Sequence, residues 1–275
     1  MGARSVTKKN DPSALHWESH GDGPPVLLIM GLGLSAGAWW RSVPVLSRRL
    51  RVITFDNRGV GRSKSSTYAY TTEAMADDAL SVLDAAGVES AHVYGISLGG
   101  MVAQQMALRH PRRVESLVLG ATHAGGPRAV APDCEVLDFF RRRPDLPHEE
   151  AAWASVPYNY GPVCRRRHGS RIAEDIVHRL AHPFPAEAYE AQLCAAGMHN
   201  CLGRLSRIQV PTMIVHGRHD RLIPVENAEL IASRLPRAKL VILERSGHLY
   251  PTEQPDVDET ISAFITDSHR GSAAG

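Results

Sequence analysis

The stretch that most constrains this chain is Ala91 to Met101, reading AHVYGISLGGM. A β-prone run, His92-Val93-Tyr94, meets Gly95-Ile96-Ser97-Leu98-Gly99, and the residues from Met101 to Arg109 read as a helix. A strand that becomes a helix in so few residues must bend sharply. Ser97 is therefore expected in a strained backbone conformation, its hydroxyl projecting beyond the strand's end. Where strand and helix nearly touch, only a residue without bulk fits, which accounts for Gly95 and Gly99. The bare Gly-x-Ser-x-Gly string says little; its strand, turn and helix setting is what makes it specific.

On either side the chain alternates short apolar runs with amphipathic ones. Residues 14–20 suit an edge strand, 26–30 a strand buried on both faces, 39–50 a helix, 51–55 a strand, 72–86 a helix closed by Gly87, and 114–120 another buried strand. Strand and helix in strict alternation with short links predict an α/β protein with a mostly parallel, doubly wound sheet. The rhythm stops over residues 122–207, where helix-like pieces (135–142, 149–155, 170–181 and 185–197) are separated by Pro and Gly. It resumes with a strand over 212–216, a helix over 225–235, a strand over 239–243 and a helix over 256–266. The expected organisation is one core, residues 1–121 and 208–275, interrupted by a helical cap, 122–207. Residues 1–12 and the small polar tail, 267–275, are expected to lack fixed structure.

Composition narrows the function classes. A net charge of +2, from 31 basic against 29 acidic residues, points to no polyanion, so no nucleic-acid partner is expected. The amino terminus, MGARSVTKKN, has no apolar run behind its charges, and the most apolar stretch, residues 25–40, is short and broken by Gly31, Gly33 and Gly37. Neither a secretory signal nor a membrane span is expected. Cys134, Cys164, Cys194 and Cys201 include no CxxC pair, which argues against a zinc site or a disulfide framework and for a reducing, cytoplasmic setting.

A serine hydroxyl needs a neighbouring base to become a nucleophile, and that base needs a carboxylate to fix its tautomer. In an open parallel sheet such groups come from loops at the carboxyl ends of strands. Asp220, in HGRHDRLIP, and His248, in ERSGHLYP, follow the two late strands. Their order, Ser97, Asp220, His248, suits a serine, acid, histidine set on this kind of sheet. A serine mechanism of this sort needs no metal, so His216 and His219 near Asp220 are not read as ligands, and no cofactor is expected.

GISLGG, the loop FDNRGVGRS and the settings of Asp220 and His248 together resemble the α/β-hydrolase superfamily, over about Ala14 to Thr266. MGLGLSAGAWW and GISLGGMVAQQMALRHPRRV look most like its small-molecule esterases and lactonases. The resemblance implies an oxyanion hole formed by the backbone amides of Leu32 and Leu98. It also meets a departure, since this chain has Met30-Gly31 where the family often has His-Gly. The expected activity is cofactor-independent serine hydrolysis of a small-molecule carboxylic ester or lactone. An acyltransferase or cyclase using the same three residues, or a ligand receptor on the same fold, are the alternatives. His123, Trp153, Tyr158, Tyr160 and Tyr189 are the candidates for shaping the substrate pocket, with ordinary packing the alternative for the four aromatic residues; Asp56 and Arg58 are expected to brace their loop, and the arginines at 141–143 and 165–167 to face solvent rather than bind an anion.

Overall fold

The computed structural model describes residues 15–64, 70–182 and 184–273. Residues 1–12 and the first residue of the expected edge strand, Ala14, lie outside them.

Seven strands, β1 (Trp17–His20), β2 (Pro25–Ile29), β3 (Arg51–Phe55), β4 (Ala91–Ile96), β5 (Val114–Gly120), β6 (Thr212–Gly217) and β7 (Ala238–Leu243), form one sheet in the order β1-β3-β2-β4-β5-β6-β7. β1 is antiparallel to β3, and every other pairing is parallel. Alternate residues feed two separate cores. Leu27, Ile29, Val93, Leu117, Leu119 and Ile214 pack on one face, and Val26, Leu28, Tyr94, Val118, Met213 and Val215 on the other. That double coverage is why the central strands read as unbroken apolar runs. Each such side chain, fully buried, stabilises the fold by about 1.5–3 kcal/mol relative to exposure. The chain winds outward in opposite directions from β2 and β4, so their carboxyl ends flank the crevice where a doubly wound sheet binds ligands.

The helices are α1 (Ser42–Leu46), α2 (Thr72–Ala85) and α3 (Leu98–Arg109) before β5; α4 (Cys134–Arg142), α5 (His148–Ala154), α6 (Val156–Asn159), α7 (Pro162–Arg167), α8 (Gly169–Leu180) and α9 (Ala186–Met198) between β5 and β6; and α10 (Glu226–Ala232), α11 (Tyr250–Glu253) and α12 (Val257–Ala273) beyond. The helix expected over 39–50 is instead a 3₁₀ turn, Ala36–Trp39, followed by the short α1. Pro44 is the reason: lacking an N–H, it is tolerated only within a helix's first turn, so the helix cannot begin as early as Trp39. The tail is a second correction, because α12 runs on to Ala273. Its polar end is held by Ser268, whose Oγ donates to the Phe264 carbonyl, and by His269 Nδ1, 3.1 Å from Glu115 Oε2.

Among the described residues of the insertion two small apolar groups form, Ala152, Tyr160, Cys164, Ile172 and Ile176 in one, Val136, Phe139 and Tyr158 in the other, and α9 buries Ala188, Tyr189 and Ala195 besides. Leu202, Leu205 and Ile208, at its end, pack with the sheet's core instead. No helix among the described residues is long and apolar enough to cross a membrane.

Candidate active site

Ser97 has φ 59° and ψ −122°, a backbone conformation that costs a side-chain-bearing residue about 1–3 kcal/mol. Its surroundings hold it there. The Ser97 N–H donates to the Gly120 carbonyl at 2.8 Å, and Thr122 Oγ1 donates to the Ser97 carbonyl at 2.7 Å. A Cβ on Gly95 would overlap the Gly99 carbonyl, and one on Gly99 would overlap the Ile29 carbonyl. The two glycines are thus the condition for α3 to start directly beneath β2 and β4. Gly31, at the end of β2, lies so close that a Cβ there would sit 3.6 Å from Ser97 Oγ.

Asp220 and His248 come together from the loops after β6 and β7. His248 Nδ1–H donates to Asp220 Oδ2 at 2.7 Å, while the Leu222 and Ile223 N–H groups both donate to Oδ1 at 2.9 Å. His216 Nε2–H donates to the Ile223 carbonyl at 2.8 Å and lies 3.2 Å from Asp220 Oδ2; the shorter contact is the hydrogen bond, the longer a favourable field. Burial alone would raise the Asp220 pKa, but the charge of His248, its hydrogen bond and the nearby His216 N–H outweigh it and hold the carboxyl down at about 2. The aspartate is thus ionised, Nδ1 of His248 carries a proton, and Nε2 is left to exchange one. Ser97 and His248 both line one cavity, with no direct hydrogen bond between their side chains.

Leu32 and Leu98 line the same cavity, and neither backbone N–H has an acceptor among the described residues. Leu98 opens α3, so its amide is one of the helix's free donors. The Leu32 loop is secured without the His-Gly dipeptide: Asn57 Nδ2 donates to the Met30 carbonyl at 3.0 Å, and the Gly33 N–H donates to Gln192 Oε1 at 3.0 Å. Asp56 supports it from below, accepting from the Ala36 and Arg62 N–H groups, while Arg58 pairs with Asp78.

The cavity has a volume of about 350 Å³ and mostly apolar walls, including Met30, Ile96, Phe139, Phe140, Leu222 and Ile223. His123 is part of the wall. Its Nδ1 accepts the Gly125 N–H at 3.1 Å, leaving Nε2–H as a donor, and burial lowers its pKa to about 4. Three expected pocket residues are elsewhere. Trp153 is 48% exposed on the outer surface; Tyr158 packs on Phe139 and donates to Glu135; Tyr160 is buried and donates to Asp175 Oδ2 at 3.0 Å. Tyr189, the fourth aromatic candidate of the insertion, does line the cavity, together with His199, Arg143 and Arg179. Arg143 also corrects the reading of residues 141–143 as a solvated face. One sign of it was legible, since Val136, Phe139 and Arg143 fall at helical spacing on one side.

The loop bearing His248 is stitched to the insertion. Leu249 N–H donates to the Asn159 carbonyl at 2.9 Å, and the Glu253 carboxyl accepts both the Gly161 N–H at 2.8 Å and the Gly247 N–H at 2.6 Å. Burial pushes the Glu253 pKa up to about 7, against the opposing pull of those two N–H groups. The described residues whose ligand atoms lie close enough to share a metal ion are His92 and Glu115, near the starts of β4 and β5, and His269 on α12, whereas Ser97 follows the other end of β4. All four cysteines are free thiols.

Known proteins share the sequence and the fold. The protein named "Putative carbamate hydrolase RutD" from Caulobacter vibrioides is 34% identical over 263 residues, covering 91% of this chain and 95% of its own. A thermophilic esterase from Thermogutta terrifontis, solved with malate bound, superimposes with a TM-score of 0.80 at 28% identity, covering 98% of this chain and 100% of its own. The enol-lactonase from Burkholderia xenovorans LB400 does so with a TM-score of 0.80 at 25% identity, covering 92% and 96%. The family model described as the alpha/beta hydrolase fold matches residues 24–253. This chain belongs to the alpha/beta-hydrolase family and is a hydrolase.

Proposed function

We propose that the protein is a serine hydrolase that cleaves a small-molecule carboxylic ester or lactone through an acyl-enzyme. One observation carries the reading: a strained serine and an imidazole bonded at 2.7 Å to a buried carboxylate open onto the same apolar cavity. Ser97 Oγ attacks the carbonyl carbon as His248 Nε2 takes its proton. The Leu32 and Leu98 amides donate to the oxygen that becomes negative, each worth about 3 kcal/mol in the transition state. His248 returns the proton to the departing alkoxide, and the Asp220 carboxylate stabilises the imidazolium in between. Water, deprotonated by His248, then attacks the acyl carbon, and the acid leaves. In the lactone case the alcohol stays attached to the acyl group, so ring opening yields one product.

The name of the Caulobacter vibrioides relative favours a second scissile group, a carbamate, whose carbonyl is open to the same attack. A panel of esters, lactones, thioesters and an aryl carbamate distinguishes the two by which member is turned over best. In the Ser97→Ala variant, turnover of the best member is expected to fall by about 10⁴-fold or more. A fluorophosphonate probe is expected to label the wild type and not the variant. Undiminished turnover in Ser97→Ala refutes the reading.

A further inference from the structure

We infer that the substrate carries a carboxylate, which seats against Arg143 and Arg179 on the insertion's side of the cavity. The inference rests on the hydrolase reading above and adds a substrate class to it. Both arginines line the cavity that Ser97 and His248 line, and among the described residues no Asp, Glu or Lys does. Several guanidinium groups elsewhere find carboxylates: Arg41 pairs with Glu174 and Asp175, Arg58 with Asp78, Arg113 with Asp84, and Arg221 with Asp133 and Glu135. Arg143 and Arg179 form no ion pair with any described residue.

What they do have is orientation without neutralisation. Arg143 stands over the rings of Tyr189 and Phe184, its Cζ 4.4 and 5.1 Å from their centroids. Arg179 Nη1 donates to Ser155 Oγ at 3.2 Å, an oxygen that also accepts from Asn159 Nδ2 at 2.8 Å and itself donates to the Ala152 carbonyl. Burial lowers the Arg143 pKa, and after the raising influence of Tyr189 the neighbouring Arg179 charge lowers it further. Two cations held near each other in an apolar cavity, without a counter-ion, are costly unless an anion arrives with the ligand. A carboxylate matches the planar guanidinium fork, and ring faces on Arg143 leave the edge of that fork to donate. A purely neutral ester would leave both charges uncompensated.

The test uses two matched pairs of esters that differ in one charge: monomethyl adipate against dimethyl adipate, with the carboxylate on the acyl part, and para-acetoxybenzoate against para-tolyl acetate, with it on the alcohol part. In at least one pair the anionic member is expected to bind the Ser97→Ala protein about tenfold more tightly by calorimetry. The wild type is expected to show a similar preference in kcat/KM, mostly through KM. The preference should collapse toward parity in Arg143→Met and Arg179→Met and return in part in the Lys variants. Parity or a neutral preference in both pairs for the wild type overturns the inference, as does a preference that survives in the double Met variant. The wild-type comparison decides even if a variant fails to fold. Hydrolysis that persists in Ser97→Ala would sink the serine reading alone, because the binding preference is read without turnover.

Discussion

Ser97, Asp220 and His248 hang from the carboxyl ends of β4, β6 and β7, whereas Phe139, Arg143 and Arg179 reach the same cavity from helices with only small apolar clusters beneath them. On the sheet side position follows from main-chain geometry. Parallel register sets where each strand stops, and Gly95 and Gly99 let α3 begin at contact distance from β2. On the insertion side position follows from which way a side chain leaves a helix and what it finds to rest on. The first wall is thereby suited to a reaction common to many substrates, the second to choosing among them.

The sharpest way to break that contrast is at the carboxylate. Asp220→Asn is expected to lower kcat/KM by about 10⁴-fold, and by a similar factor for every ester in a panel, because it disturbs the imidazole's tautomer rather than any substrate contact. A loss confined to some substrates would show that the sheet wall also selects.

His123 stands where the two walls meet, and its titration sharpens the comparison. Its imidazole is expected to stay neutral in nuclear magnetic resonance spectra until the pH approaches about 4, well below the ordinary 6.5. Because the folded-state pKa is the lower one, the unfolded chain takes up the proton first as the solution is acidified. The stability that wild type holds over His123→Asn should therefore be complete above pH 6.5, shrink as the pH falls, and be gone below about 4. A signal that titrates near 6.5 would place the ring in water instead.

The smallest effects are expected where aromatic residues of the insertion face away from the cavity. Tyr160→Phe removes one donor to Asp175, which keeps Arg41 and Thr252, and should cost about 1 kcal/mol in a denaturant melt. Trp153→Ala, at an exposed position, should change stability by no more than about 0.5 kcal/mol. Neither should move KM, and a shift in KM from either would return that residue to the substrate's surroundings.

The same contrast explains what could be read in advance. The seven strands, Ser97 and the two loops bearing Asp220 and His248 were legible because apolar runs of strand length, glycine spacing and chain order are properties of the linear sequence. Helices α4, α5, α8 and α9 were legible as helices, yet which of Trp153, Tyr158, Tyr160 and Tyr189 lines the cavity was not: of the four, Tyr189 does. An aromatic residue serves equally well beneath a helix, as Tyr158 does on Phe139, or in a cavity wall. Arg143 was misread with its neighbours because a run of like charges ordinarily faces water; only its place on the side of α4 that carries Val136 and Phe139 set it apart. The extra turns of α12 were hidden for another reason, since what holds His269 is Glu115, 154 positions away.

Glu253 gives the insertion a mechanical meaning. By gripping Gly161 with one oxygen and Gly247 with the other, it rivets the roof of the chamber to the segment that carries the proton-shuttling ring. Lifting that roof to admit a bulky guest would therefore tug on the ring as well, so a guest too large for the chamber would be penalised in chemistry as much as in entry.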